Sequence, residues 1–525
     1  MPARFSGRII NLKKRTVMKK NVVIYGLAAM SLLTAGCQVA GDRESENYYA
    51  NEAYVTSDAA YYRETPIPTA GDKFSEYADN PFVQTALQPT STFSVDADGA
   101  SYAVVRRYLK SGFNVNSASV RIEEFLNYFT FNYPSPTGSH TVAINAEVGD
   151  CPWNMQHKLL RLGLKGKPLK TDEMPRANFV FLVDVSGSMS SSDKLDLLKS
   201  GLKELVYQLN PDDRISIITY SGEVQKLLES TQVKKASTIV AAIDKLYADG
   251  CTNGGEALKM AYEEAMANYD PQCNNRVILG TDGDFNVGVT STSALTEMVE
   301  SYAKKGIYMT CLGFGMGNLN DEMMENISNH GNGTYHYIDS ENEMMKVFVH
   351  ERERFVSVAN DTKCQVTFDS TMVKEYRLIG YENRVMSNED FTNDNKDAGE
   401  IGAGQTITAL YEIVLNDSDA SPLTSHSLSQ DSPFVTFDCR YKKSLGAESI
   451  PLQVGLKAES IFNKNERSDD FYFAAGVAAY GMVLRNSPYK GDATIDMAGR
   501  LVSGHLGKDT HGYRAELLQL IEKSK

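Results

Sequence analysis

Tryptophan occurs once in 525 residues, at Trp153, and histidine only eight times. The longest apolar run is about fifteen residues, short of the roughly 18 that a membrane span requires, so a chain that crosses a membrane repeatedly is excluded. No fixed-period repeat and no long low-complexity segment is present, which excludes solenoids, propellers and fibrous arrays. Neither a G-x-S-x-G elbow nor a phosphate-cradling glycine loop occurs; the nearest stretch, SGSMS at 186–190, lacks the second glycine. Basic residues are outnumbered, 53 to 67, for a formal charge of −14. All seven basic residues among the first 37 stand without an acid, which leaves the remaining 488 at −21. Such a body argues against nucleic acid as a partner, because phosphate binding needs a basic face. What is present is ordinary globular material: 42% apolar and 23% charged residues, long enough for two to four domains.

From Met18 the chain reads MKKNVVIYGLAAMSLLTAGC, two lysines, an apolar run and small residues before Cys37. This is the pattern of a secretory signal. Its ending, LTAGC, resembles the lipobox of bacterial lipoproteins, with Thr34 where that family prefers Leu and Leu33 one place further out. The resemblance implies that residues 1–37 are a lipoprotein signal peptide with its true start at Met18. It further implies that Cys37 takes a diacylglycerol and that the mature protein is anchored in the cell envelope, at the outer membrane. Residues 38–89 are polar, acidic at Asp42, Glu44 and Glu46, and tyrosine-rich at Tyr48, Tyr49, Tyr54, Tyr61 and Tyr62. Without an apolar period they read as a flexible tether.

Residues 90–175 mix two helical stretches, SYAVVRRYL and SVRIEEFLNYF, with strand-like TVAINAEV and HKLLRLGL, a small N-terminal α+β domain. Trp153, in CPWN, reads as a buried aromatic anchor, since it has no second stacking partner in sequence. Over 176–350 apolar runs of five or six residues alternate with amphipathic helices. These are FVFLV, ISIITY, VQKLL, RVILG and YMTCLGF, with TYHYI closing the set. Strands covered on both faces read this way, so the fold class is α/β with a doubly wound, mostly parallel sheet. Beyond the charged helix ENEMMKVFVHERERF, residues 351–525 become strand-rich: CQVTFD, EYRLIGYEN, QTITALYEIVL, FVTFDCRYK and SIPLQVGL. Turn clusters between them predict an antiparallel sheet or sandwich, followed by terminal helices. The run Glu351 to Arg354 reads as a solvated helix face.

Directly after the first buried strand comes DVSGSMS, which places Asp184, Ser186 and Ser188 at that strand's carboxyl end. In open parallel sheets ligands bind at that edge. A carboxylate with two hydroxyls is hard oxygen ligation of the kind Mg²⁺ accepts. Thr252 precedes a Gly-Gly helix start, and Asp282 follows a second buried strand in GTDGDFN. Five oxygen-bearing side chains from three loops are therefore expected at one point of the sheet.

This constellation resembles the von Willebrand factor A domain and its metal-ion-dependent adhesion site, whose pattern is D-x-S-x-S, a distant Thr and an Asp in a T-D-G turn. The resemblance implies Ser186 and Ser188 as direct ligands and Asp184 and Asp282 acting largely through water. Thr252 would ligate directly or through water, and the ion would be Mg²⁺, with Mn²⁺ or Ca²⁺ as alternatives. Cys251 departs from the glycine common before that threonine. The stretches TFSVDADGASYAVVRRYL, VRIEEFLNYF, EVGDCPWN and IGAGQTITALYEI resemble the flanks of bacterial A-domain lipoproteins.

The expected role is protein–protein interaction or adhesion, a partner's Asp or Glu completing the metal shell, and no enzyme. Hydrolysis would need a base within reach. No histidine lies near these motifs, and His330 and His336, six apart, do not match a metal-pair spacing and read as surface or loop residues. The alternatives are a metal-dependent envelope hydrolase and a scaffold whose metal only stabilises its loops. DADG at Asp96 to Gly99 starts like a calcium loop but lacks the later Gly and closing Glu, and reads as a turn. Six cysteines remain after Cys37, at 151, 251, 273, 311, 364 and 439. Cys364 and Cys439, both in predicted strands, can pair; free thiols are the equal alternative, because connectivity is not legible in sequence. Cys311, mid-strand, reads as a buried small apolar residue.

Overall fold

A computed structural model describes residues 71–250, 254–283, 292–416, 433–462 and 467–525. Short strands β1 (Val83–Gln84) and β2 (Thr90–Ser94) lead into helices α1 (Ala100–Ser111) and α2 (Ile122–Asn127), then the strands β3 (Val142–Asp150) and β4 (Lys158–Gly166). The tether expected up to residue 89 is corrected for residues 71–89, which pack on the body. The Asp72 carboxylate accepts from the Tyr108 hydroxyl at 2.6 Å and from the Gly317 and Leu319 amides. Lys73 bridges to Asn320.

The central domain then runs β5 (Ala177–Asp184), α3 (Leu197–Gln208), β6 (Arg214–Tyr220), β7 (Val224–Gln232), α4 (Ala236–Asp244), α5 (Gly255–Ala267) and β8 (Asn274–Thr281). It continues with α6 (Thr292–Ala303), β9 (Ile307–Phe314), α7 (Asp321–His330), β10 (Thr334–Ile338) and α8 (Glu341–Met345). The sheet order is β10-β9-β8-β5-β6-β7, parallel except for β7, which is an antiparallel edge strand. Every residue of β5 is buried because α5, α6 and α7 cover one face and α3 and α4 the other. The doubly wound sheet expected from the apolar runs is thus observed, with Cys311 buried in β9.

The chain continues through β11 (Ser357–Phe368), β12 (Val373–Ile379), β13 (Val385–Met386), β14 (Gly399–Gly402), β15 (Thr406–Leu415), β16 (Pro433–Lys442) and β17 (Ile450–Lys457). It ends with α9 (Glu459–Phe462), α10 (Asp469–Leu484), α11 (Ile495–Gly504) and α12 (Tyr513–Lys523). Here the separate N- and C-terminal domains expected at 90–175 and 351–525 are corrected. One antiparallel sheet is β1-β12-β15-β4-β3 and the other β13-β2-β11-β16-β17, so each interleaves strands from both flanks. Leu162 of β4 lies opposite Ala409 of β15, and Cys364 of β11 opposite Phe93 of β2. The inner faces of the two sheets share one core containing Phe93, Leu160, Leu162, Val366, Tyr411 and Phe437. The flanks form a single β-sandwich, and the central domain is inserted into it. On the outer face of the first sheet α2, α10, α11 and α12 build a second core around Trp153, whose indole N–H donates to Glu412 at 3.1 Å.

Arg106 on α1 ties insert and sandwich together. Buried to 2% exposure, its guanidinium reaches Asp339 just past β10 (2.5 and 2.8 Å), Glu343 of α8 (2.7 Å) and Glu516 of α12 (3.0 Å). It also donates to the Tyr128 hydroxyl at 2.7 Å.

Two further expectations are corrected. His330 ends α7 and His336 sits inside β10, so neither is a loop residue. Burial first, then the charges of Lys346, Arg354 and Arg276, push the His336 pKa down to about 3. The Glu351 to Arg354 run is a half-buried 3₁₀ connector rather than a solvated helix face. Glu351 pairs there with Lys346 and Arg354, both at 2.7 Å, and Glu353 accepts from the Leu169 amide. DADG is a turn, as expected, in which the Asp98 amide donates to the Asp96 carboxylate at 2.9 Å.

Candidate metal centre

Parallel pairing of β5 with β8 puts Val183 beside Gly280, so the residues that follow, Asp184 and Thr281, emerge together at the carboxyl edge. The Thr281 hydroxyl donates to Asp184 Oδ2 at 3.0 Å and the Tyr220 hydroxyl to the same oxygen at 3.3 Å. Asp184 Oδ1 accepts from the Ser186 amide at 2.9 Å, an Asx-type turn that curls the loop over the strand end. The curl leaves the Ser186 and Ser188 hydroxyl oxygens 2.9 Å apart, with Ser186 buried and Ser188 exposed. Asp184 and Asp282 are fully buried. Gly283 follows at φ 104, where a Cβ would stand 2.4 Å from the Asn320 amide; only glycine allows the turn that sets Asp282 in place.

Thr252 lies outside the described residues, as do Cys251 and Cys37. The chain leading to Thr252 is tied to the serine loop through Gly250: the Asp249 amide donates to the Val185 carbonyl at 2.7 Å, and the Gly187 amide to the Gly250 carbonyl at 3.0 Å. Four of the five expected residues are therefore placed at one edge, and the approach to the fifth is pinned there.

Three partners were not anticipated. Thr281 and Tyr220 end their strands and hold the Asp184 carboxylate. Lys194 reaches back from the turn before α3, its ammonium 2.9 Å from Asp282 Oδ2 and 3.0 Å from the Ser188 carbonyl. Nothing marks Lys194 in sequence except its distance past the serine motif.

Burial pushes the Asp184 pKa up to about 6, and the nearby Asp282 charge adds to the rise. Two buried carboxylates beside paired hydroxyls, with only oxygen donors and one lysine ammonium already drawn in, fit a hard divalent cation. Domains of the von Willebrand type A kind commonly hold a divalent metal at this edge.

Comparison with known proteins assigns the family. The von Willebrand factor type A domain family matches residues 178–350, a von Willebrand factor family residues 68–161, and the family described as "Uncharacterized protein YfbK, C-terminal" residues 353–525. The Escherichia coli (strain K12) protein "Uncharacterized protein YfbK" is 38% identical over 499 residues, spanning 92% of this chain and 86% of that protein. The chain belongs to the YfbK family. More distant similarity reaches the human "Inter-alpha-trypsin inhibitor heavy chain H3", 31% identical over 176 residues, 31% of this chain and only 19% of that protein. A solved structure, "von Willebrand factor type A from Catenulispora acidiphila", covers 71% of this chain and 88% of its own at 14% identity and a TM-score of 0.43. Within the YfbK family assignment, the first match, at 68–161, and the last, at 353–525, fall on the two halves of the sandwich described above.

Proposed function

We propose that this YfbK-family protein is a lipid-anchored envelope protein whose central domain captures an acidic residue of a partner protein through Mg²⁺. The observation that carries the reading is the hydroxyl of the exposed residue Ser188, 2.9 Å from that of Ser186, on a loop tied to the buried Asp184 by the Ser186 amide and to the buried Asp282 through Lys194. Ser186 and Ser188 would hold the ion directly, Asp184 and Asp282 through water, with Thr252 as a fifth contributor. Bound there, Mg²⁺ supplies a hard electrophile to which a partner's carboxylate oxygen can bind. The protein's own residues do the positioning: Thr281 and Tyr220 fix the Asp184 carboxylate, and the Asp249–Gly250 link fixes the serine loop. Anchoring rests on the lipobox-like LTAGC at Cys37, and the outer membrane is the proposed location.

The test immobilises the full mature chain and passes envelope extract over it in Mg²⁺ or in chelator. Proteins retained in Mg²⁺ are expected to elute with chelator and to be missing from a column bearing Asp282→Ala. Retention indifferent to chelation would remove the metal from the interaction.

Pairing of Cys364 with Cys439 is also part of this reading, because an envelope location is oxidising. The two lie directly opposite each other in the antiparallel β11–β16 pair, both fully buried and both free thiols in the structure. Directly opposed antiparallel residues bring their Cβ atoms to about 4.5–5.5 Å, near the range a disulfide spans. Non-reducing peptide mapping of protein from the oxidising compartment is expected to recover these two peptides joined. Both thiols alkylated in full, without prior reduction, would contradict it.

A further inference from the structure

We infer that Asp72 is a positioning residue for the metal centre: it clamps the loop on which Asp282 is set, an inference that rests on the Mg²⁺ reading above. The chain that arrives from the anchor end is thereby coupled to the metal.

Parallel pairing of β8 with β9 puts Thr281 beside Gly313, so the Asp282–Gly283 turn and the 315–320 loop leave the sheet edge as neighbours. They are packed to contact. A Cβ on Gly283 would stand 2.4 Å from the Asn320 amide nitrogen, 2.6 Å from the Asn318 carbonyl oxygen and 2.8 Å from the Leu319 Cα. The same loop meets the cation beside Asp282: a Cβ on Gly315 would stand 2.1 Å from Cε of Lys194, whose ammonium is bonded to Asp282. The turn after Asp282 and the lysine upon it therefore lean on one loop.

That loop is irregular backbone, with Gly315 and Gly317 both at positive φ. Glycines leave such a segment many alternative shapes unless something outside selects one. Residues 71–73 do so. Asp72 Oδ1 accepts from the Gly317 amide at 2.8 Å and from the Leu319 amide at 2.9 Å, and the Lys73 amide donates to the Leu319 carbonyl at 2.8 Å. The other carboxylate oxygen is aimed by the Tyr108 hydroxyl of α1, at 2.6 Å. The approach is so close that a Cβ on Gly71 would stand 1.6 Å from the Gly317 carbonyl oxygen. Bonds from amides to a carboxylate are charge-assisted and stronger than those between neutral groups, so one side chain can fix two points of the loop. Phe74 follows and packs on the core that holds Leu319.

The far end of the same segment is tied elsewhere. Asp79 pairs with Arg485 at 2.8 Å and accepts from the Ser487 hydroxyl, both just past α10. Asp72 thus serves the insert and Asp79 the helices on the sandwich, which separates a specific effect on the metal from general loosening of the segment.

The experiment uses the full mature chain, with Mg²⁺ affinity from isothermal titration calorimetry and hydrogen exchange resolved to single amides in the metal-free protein. Asp72→Ala is expected to weaken Mg²⁺ by about three- to ten-fold, the size of coupling that packed elements transmit. It should also speed exchange at Gly317, at Leu319 and at Gly283, whose amide is bonded to the Thr281 hydroxyl oxygen at 3.2 Å. Asp72→Asn keeps an acceptor oxygen for the two loop amides and should recover most of both. Tyr108→Phe, which removes only the hydroxyl, is expected to weaken Mg²⁺ about two-fold. Asp79→Ala should change neither readout. Coupling is reciprocal, so Mg²⁺ should slow exchange at Gly317 and Leu319 in the parent chain. Parental Mg²⁺ affinity in Asp72→Ala overturns the inference, as does faster exchange confined to Gly317 and Leu319, or an equal loss of affinity in Asp79→Ala. Each of those results leaves the Mg²⁺ reading standing, whereas a parent chain that binds no Mg²⁺ removes both.

Discussion

Asp184→Asn is expected to weaken Mg²⁺ binding by about 100-fold or more while leaving the metal-free fold intact. Even outer contacts to a metal commonly account for 10–100-fold in affinity, and here a full charge is lost beside the ion. The metal-free protein should not suffer, because burial and the Asp282 charge already oppose ionisation of Asp184, whose pKa is pushed up to about 6. An amide removes that repulsion and still offers an oxygen to Thr281 and Tyr220, which offsets the loss of the acceptor for the Ser186 amide. Thermal unfolding with and without Mg²⁺ measures both halves: the metal-free midpoint should hold or rise, and the shift caused by Mg²⁺ should vanish. Lys194→Ala is the mirror experiment. Its ammonium competes for Asp282 at 2.9 Å, so the variant should bind Mg²⁺ several-fold more tightly and be less stable without it. An undiminished Mg²⁺ shift in Asp184→Asn would place the ion elsewhere.

Arg106→Ala is expected to destabilise the protein by about 3–5 kcal/mol, the usual consequence of stripping the partner from buried charges. Asp339 and Glu343 are both nearly inaccessible, and the guanidinium is the cation bonded to each of them. Arg106→Lys should recover little, since a point charge cannot serve Asp339, Glu343, Glu516 and Tyr128 in one plane. Because Arg106 spans insert and sandwich, the loss should also split unfolding, read by differential scanning calorimetry as two transitions where the parent chain shows one. A single transition at an unchanged midpoint would mean that other ties, such as Arg121 to Asp321 and Tyr308 to Asn360, hold the junction without Arg106.

The central domain was legible in the sequence because its strands are buried on both faces. FVFLV and the VIL of RVILG are apolar without alternation, as strands of a sheet covered on both faces are. Asp184, Ser186, Ser188 and Asp282 were legible because each follows such a strand. Lys194 was not, since a lysine near a helix start is ordinary until the fold turns it back. The sandwich was legible as strands but not as one body. Its halves meet through contacts such as Tyr133 to Thr408, 275 residues apart, and local periodicity holds no trace of a partner that distant. For the same reason the tether was drawn too long: the anchor of Asp72 is the hydroxyl of Tyr108 and two amides near residue 318. The place of His336 inside β10 was legible in TYHYI, and the surface-or-loop reading of that histidine conflicted with it.

Helix α1 precedes the 178–350 match, yet Ala100, Ala103, Val104 and Tyr108 pack into the same core as Val180, Leu279, Met309 and Tyr335. A fragment trimmed to the matched borders would therefore leave a greasy trough along one side of its sheet. Whoever expresses the insert by itself should graft residues 100–111 back on, for the boundary that packing draws runs one helix wider than the boundary that homology draws.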